Sequence, residues 1–232
     1  MNMNTRMSSS LSWITLGLLG LMGPSLVGEA IADPHRFDDA IAAFEEADGI
    51  SKPGKGKVLF LGSSSIRRWD TATAFAGIDS LNRGFGGSQI SDSIFFFDRV
   101  VLPYAPSVIV FYAGDNDINA GKTIDEVVAD FRRFAQLANR KLKGTKILYI
   151  PIKPSISREA LWKDMAVVNK RIQRMSAKQK NLYYADIASP MLATGMPPNA
   201  DLFARDGLHL SDKGNAMWLK IIRPVLEKAL SD

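Results

Sequence analysis

Lys57-Val-Leu-Phe-Leu-Gly-Ser-Ser-Ser-Ile66 decides how the rest of the chain is read. Residues 58–61 are four apolar residues rich in strand formers, the composition of a strand buried on both faces. Gly62 permits a tight exit, and three hydroxyls follow before Ile66-Arg-Arg-Trp69 takes up a helical turn. A serine at the mouth of a strand-turn-helix is where an α/β fold exposes a nucleophile, near the positive end of a helix. Gly-Ser runs are also ordinary turn chemistry, so the stretch takes its meaning from its surroundings.

On either side of it, strands alternate with helices. Upstream, Phe37, Ile41 and Phe44 lie at helical spacing and predict an amphipathic helix ended by Gly49. Downstream, residues 78–82 predict a second strand running into the glycine-rich Arg83-Gly-Phe-Gly-Gly87, and residues 94–101 a buried helix stopped by Pro103 and Pro106. Ser-Val-Ile-Val-Phe-Tyr over 107–112 is the clearest strand in the sequence. Ala113-Gly-Asp-Asn-Asp117 ends it, and Thr123-Ile-Asp-Glu126 is a capping box opening a helix striped by Val127, Phe131, Phe134 and Ala138. A strand over 146–150, a helix over 158–178 and a strand over 182–187 follow. Asp206-Gly-Leu-His209 then precedes a last helix capped by Ser211, with a kink expected at Pro224.

This alternation predicts a single α/β domain: a central, buried parallel sheet with right-handed crossovers and helices on both faces. In such sheets ligands sit beyond the carboxyl ends of the strands. Residues 63–65, 84–87 and 114–117 each follow a strand, so all three loops gather on that edge.

The first 32 of the 232 residues read as a leader rather than as fold. Arg6 supplies a positive start, residues 11–22 a largely apolar stretch, and Ala30-Ile31-Ala32 the small-x-small pattern of a cleavage site. The apolar run is short and broken by Gly23-Pro24, which favours a signal peptide over a membrane anchor. The expected organisation is a signal peptide over 1–32, a single domain over 33–232, and export to the periplasm or medium. With no cysteine, disulfides and thiolate metal sites are excluded. The net charge of +5 sits in clusters at 52–57, 140–146 and 170–180, which read as two loops and a solvated helix face. They lack the interleaved aromatics of single-strand binders, so no nucleic-acid partner is expected.

Only two histidines exist. His35 lies at the start of the expected mature chain, which leaves His209 as the sole histidine for general-base chemistry. Asp206, three residues earlier, can accept the Nδ1 proton and leave Nε2 free as a base; it can equally cap the last helix while His209 merely packs. Asn116 offers a side-chain amide to an oxyanion, and Gly86 and Gly87 a bare backbone amide, although each is also normal turn chemistry. Asp115 and Asp117 invite a metal reading, but no third clustered carboxylate and only one usable histidine accompany them.

Gly62-Ser-Ser64 after a strand, Asn82-Arg-Gly-Phe-Gly-Gly87, Gly114-Asp-Asn-Asp117 and Asp206-Gly-Leu-His209 occur in that order. Together they resemble the SGNH, or GDSL-like, hydrolase superfamily across essentially the whole mature chain. The resemblance implies a three-layer αβα, flavodoxin-like fold with five parallel strands in the order 2-1-3-4-5. It also implies ester hydrolysis without metal or other cofactor. Carried across, Ser64 is the nucleophile, with Asp206 and His209 completing the triad. The Ser64 amide, the Gly87 amide and the Asn116 side chain form the oxyanion hole. The chain departs from the family pattern at Ser63, where an aspartate is usual. That leaves Ser63, Ser64 and Ser65 as neighbouring candidates, of which Ser64 keeps the Gly-x-Ser register.

The expectation is therefore an exported serine esterase acting on short-acyl or carbohydrate-borne O-acyl esters. A lysophospholipase or thioesterase is the alternative within the class, and a catalytically silent glycan-binding module the alternative outside it. A flavodoxin-like nucleotide binder is a third reading, suggested by residues 84–87, although that loop lacks the Gly-x-Gly-x-x-Gly spacing.

Overall fold

Hydrophobic content concentrated in short runs builds the sheet first. In a computed structural model of the chain, residues 33–232 are described together with Met1. The leader expected over 1–32 thus lies, apart from Met1, outside the described residues. Pro34–Asp232 forms one compact unit. Its elements run α1 (Asp38–Ile50), β1 (Val58–Gly62), α2 (Ser64–Arg67), α3 (Thr71–Ala74), β2 (Ser80–Gly84), α4 (Ile90–Phe95), α5 (Phe97–Val100) and β3 (Val108–Tyr112). They continue with α6 (Asp115–Asn119), α7 (Ile124–Lys141), β4 (Lys146–Tyr149), α8 (Trp162–Ser176), β5 (Leu182–Tyr184), α9 (Ala188–Met191) and α10 (Asp212–Ser231).

The five strands pair in parallel in the order β2-β1-β3-β4-β5. Every residue of β1 and β3 is buried, as unbroken apolar runs require of a sheet covered on both faces. Side chains alternate between two cores. Leu59, Leu61, Ile109, Phe111, Ile147 and Tyr149 face α1, α4, α5, α7 and α8. Val58, Phe60, Val108, Val110, Tyr112 and Leu148 face α3, α9 and α10. The first core is filled by aromatic pairs such as Phe111 stacked on Phe134 at 4.3 Å. The second is organised around Trp218 of α10, fully buried against Trp69 and Tyr112.

The capping box read at Thr123 is formed: the Thr123 amide donates to Glu126, and the Glu126 amide to the Thr123 hydroxyl. Other expectations shift. The apolar run over 94–101 is not one helix, because α4 and α5 break at Phe96 and Phe95 turns outward, 52% exposed, against the His35 ring. The second strand starts at Ser80 rather than 78 and runs on to Gly84. The fifth ends at Tyr184, since Ala185 and Ile187 owe their apolar character to burial in the second core. Residues 156–161 are a 3-10 turn before α8, and α10 continues through Pro224 to Ser231. No helix among the described residues is long and apolar enough to cross a membrane.

Strand register brings the loops of interest level. Gly62 lies opposite Gly84 on one side and Tyr112 on the other, so β1, β2 and β3 end in one row. The segments that follow emerge side by side.

Candidate active site

At the end of that row, Gly62 adopts φ +137°, a conformation in which a Cβ would lie 1.9 Å from the Tyr112 carbonyl oxygen. Only glycine lets the chain turn so close to β3. The Ser63 amide then donates to the same oxygen at 3.0 Å, and the Ser63 carbonyl accepts from Ile66 and Arg67, which starts α2 at Ser64. The turn aims the three hydroxyls in different directions. Ser63 Oγ is buried without a partner among the described residues, and Ser65 Oγ accepts from Lys153 Nζ at 3.2 Å. Ser64 Oγ lies 2.8 Å from His209 Nε2.

His209 reaches Ser64 from the turn before α10. Asp206 Oδ1 accepts from the amides of Leu208 and His209, both at 2.9 Å, which folds the turn, and Oδ2 lies 2.6 Å from His209 Nδ1. Asp206 therefore shapes its own turn, while the cap of α10 is Ser211, whose hydroxyl accepts from Gly214. The hydrogen bond from His209, reinforced by the two amides, holds the Asp206 carboxyl far below the usual carboxylate range although its side chain is 44% exposed. An ionised carboxylate can only accept, so Nδ1 carries a proton, and in the neutral imidazole this leaves Nε2 to accept from the Ser64 hydroxyl. Arg68 adds a cation 3.8 Å from Asp206 on the solvent side.

Across from His209, the β2 loop is stitched to α2 by Asn82. Its Nδ2 donates to the carbonyls of Ile66 and Trp69, and its Oδ1 accepts from the Gly84 amide at 2.8 Å. The Arg67 guanidinium covers Gly86, where a Cβ would meet Nε at 2.6 Å. The amides of Ser64 and Gly87 find no hydrogen-bond acceptor among the described residues. Asn116, on α6 after β3, donates from Nδ2 to the Ser88 carbonyl at 3.0 Å. These contacts join the three loops expected on this edge to one another and to α2.

Neither aspartate flanking Asn116 is held as a metal ligand would be. Asp115 is buried against Tyr112, Lys153 and Arg158. Burial works to raise its pKa, but the two cations hold it below the ordinary value. Asp117 accepts from Lys122 and the Ile90 amide, and burial pushes it up to about 6 against the pull of Lys122. No group of three potential metal-ligating side chains forms among the described residues.

The sequence reading overlooked Lys153, in the loop after β4, and Arg158, in the 3-10 turn that follows it. For Lys153 the signal is position: the segment Pro151-Ile-Lys-Pro-Ser155 leaves a strand on the same edge as the other three loops and carries its charge between prolines.

Residues 60–217 match the model of the GDSL-like lipase/acylhydrolase family. The chain belongs to this family. Membership makes it a carboxylic ester hydrolase. A curated relative, the GDSL esterase/lipase WDL1 of Oryza sativa subsp. japonica, is 24% identical over 213 residues, covering 76% of this chain and 80% of the relative. Among solved structures, a GDSL-like lipase from Bacteroides thetaiotaomicron superposes with a TM-score of 0.70 at 20% identity, covering 85% of this chain and 98% of that one. A carbohydrate esterase family 3 protein from Talaromyces cellulolyticus does so with a TM-score of 0.62 at 20% identity, covering 76% and 99%. At these identities the structural neighbours speak for the fold.

Proposed function

We propose that this family member is an exported serine esterase that removes short acyl groups, including those carried on carbohydrate, through Ser64, His209 and Asp206. The observation that carries the reading is the continuous relay from Ser64 Oγ to His209 Nε2 and from His209 Nδ1 to Asp206, at 2.8 and 2.6 Å. His209 takes the Ser64 proton as Oγ attacks the ester carbonyl, and Asp206 stabilises the imidazolium. The carbonyl oxygen becomes an oxyanion facing the Ser64 amide, the Gly87 amide and Asn116 Nδ2. Collapse expels the alcohol, which takes the proton back from His209. Water, deprotonated by the same Nε2, then attacks the acyl-enzyme and releases the acid and free Ser64.

The substrate class rests on two supports. The carbohydrate esterase of Talaromyces cellulolyticus and an acetylxylan esterase of Geobacillus stearothermophilus share the fold. Ser64 also lies half-buried, not fully enclosed, at the mouth of the sheet. Export rests on the leader pattern alone.

The test is hydrolysis of p-nitrophenyl esters from acetate to long acyl chains by the chain from residue 33 onward and by its Ser64→Ala variant. Activity greatest on the short esters and abolished in the variant is expected. Activity surviving in Ser64→Ala refutes Ser64 as the nucleophile. A preference for long chains replaces the short-acyl reading with a lysophospholipase-like one, and wild-type silence on the whole series favours the glycan-binding module.

A further inference from the structure

The amide of Asn116 has two orientations that differ only in which end is oxygen, and an oxyanion needs the nitrogen end. Two contacts select it. Arg158 Nη2 donates to Asn116 Oδ1 at 2.9 Å, and Asn116 Nδ2 donates to the Ser88 carbonyl at 3.0 Å. A guanidinium has only donors and a carbonyl only accepts. A flipped amide would therefore set N–H against N–H at one contact and oxygen against oxygen at the other. The observed orientation leaves one Nδ2–H without a partner among the described residues.

Arg158 is itself fixed. Its Nη1 pairs by charge with Asp115 Oδ2 at 3.1 Å, without the alignment of a hydrogen bond, and that oxygen also takes the Tyr112 hydroxyl at 3.0 Å and Lys153 Nζ at 3.2 Å. Lys153 is 1% exposed and reaches on to Ser65, next to the proposed nucleophile. One buried carboxylate thus anchors two cations, Lys153 and Arg158. The backbone adds a second tie, because the Ser157 amide donates at 3.1 Å to the carbonyl of Gly207, inside the Asp206–His209 turn. The loop after β4 braces both sides of the site.

We infer that Arg158 is a positioning residue of the oxyanion hole, holding the Asn116 amide in the one orientation that offers N–H to the developing charge. It touches no reacting atom. Donation into Oδ1 also polarises the amide, so that its remaining N–H donates more strongly. The inference rests on the esterase reading above and assigns a residue that reading does not require.

Arg158→Met keeps much of the bulk and removes every donor. Since loss of a whole oxyanion donor costs roughly 10²–10³ in turnover, loss of its orientation is expected to lower kcat roughly tenfold with KM changed by less than about twofold. The decisive readout is coupling. In an Asn116→Ala background there is no amide to orient, so adding Arg158→Met should leave kcat within about twofold of Asn116→Ala alone. A merely structural Arg158 would lower both backgrounds by the same factor, and that result overturns the inference. So does a wild-type kcat in Arg158→Met. If Arg158→Met does not fold, Arg158→Lys takes its place, since one ammonium cannot bridge Asp115 and Asn116 as the fork does. A severalfold loss of kcat that vanishes in the Asn116→Ala background is expected, and a wild-type kcat in Arg158→Lys overturns the inference. Ser64→Ala assayed alongside separates the two ideas. Its retained activity refutes the esterase reading, whereas a silent Ser64→Ala beside a fully active Arg158→Met refutes only the role of Arg158.

Discussion

Replacing Gly62 with alanine is expected to cost more than any other single methyl added near the site. The Cβ would lie 1.9 Å from the oxygen, 2.7 Å from the carbon and 3.1 Å from the nitrogen of Tyr112, all of it backbone that cannot rotate away. At φ +137° an L residue is also strained, by about 1–3 kcal/mol. The methyl occupies the path of the hydrogen bond from the Ser63 amide to the Tyr112 carbonyl, and leaving those buried groups unpaired adds about 1–3 kcal/mol. Together these amount to about 2–6 kcal/mol, or a fall in Tm of roughly 5–20 °C for a domain of this size. Circular dichroism melting of Gly62→Ala against Gly49→Ala makes the comparison. Gly49 lies in α1 with nothing within 4 Å of its Cβ position, so alanine there is expected to be neutral or mildly stabilising. Whatever fraction of Gly62→Ala folds should also lose turnover, because the same methyl pushes Ser64 away from His209. A Gly62→Ala protein melting within about 2 °C of wild type would refute the reasoning, since it would mean that β1 and β3 separate at almost no cost.

Two further outcomes are expected. Asn116→Ala should lower kcat by roughly 10²–10³ with little change in KM, and unchanged turnover in a p-nitrophenyl ester assay would remove Asn116 from the oxyanion hole. Asp117 titrates near 6 in the folded protein against 3.8 in the unfolded chain, so the native state binds the extra proton between those values. Its contribution to stability therefore falls as pH rises from about 4 to 6, by up to about 3 kcal/mol. Asp117→Asn removes this dependence: urea unfolding should find the variant gaining on wild type across that window, and a constant difference from pH 4 to 7 would contradict the assignment.

The sheet was legible because its strands are buried on both faces, and unbroken runs such as residues 108–112 admit few other readings. The serine, glycine, asparagine and histidine segments were legible for a related reason: each directly follows a strand or precedes a capped helix, so local pattern fixes its place. Lys153 and Arg158 were not. A lysine that spends its charge on a buried aspartate looks, in sequence, like a lysine in water. Arg158 meets Asn116 across 42 residues, through a loop whose path depends on α6 and the β4 edge already being in place. Phe95 misled in the opposite sense, since an apolar residue in an apolar run reads as core even when it faces outward.

The strand order accounts for why the proposed parts of the site come from where they do. With β1 between β2 and β3, a nucleophile leaving β1 has one neighbouring loop on each side, and each of those loops offers one of the proposed oxyanion donors. Their geometry is only as good as the register. A slip of β2 by one residue would move Gly87 by about 3.3 Å, beyond hydrogen-bond reach, and would turn the side chains of β2 to opposite faces. Asn82 guards against this slip, because its amide binds two carbonyls of the α2 region while its oxygen holds the Gly84 amide. Arg158 does for the β3 side what Asn82 does for the β2 side. One fixes the position of a backbone donor and the other the orientation of a side-chain donor, and a donor preorganised in this way needs no rearrangement when charge develops on the substrate.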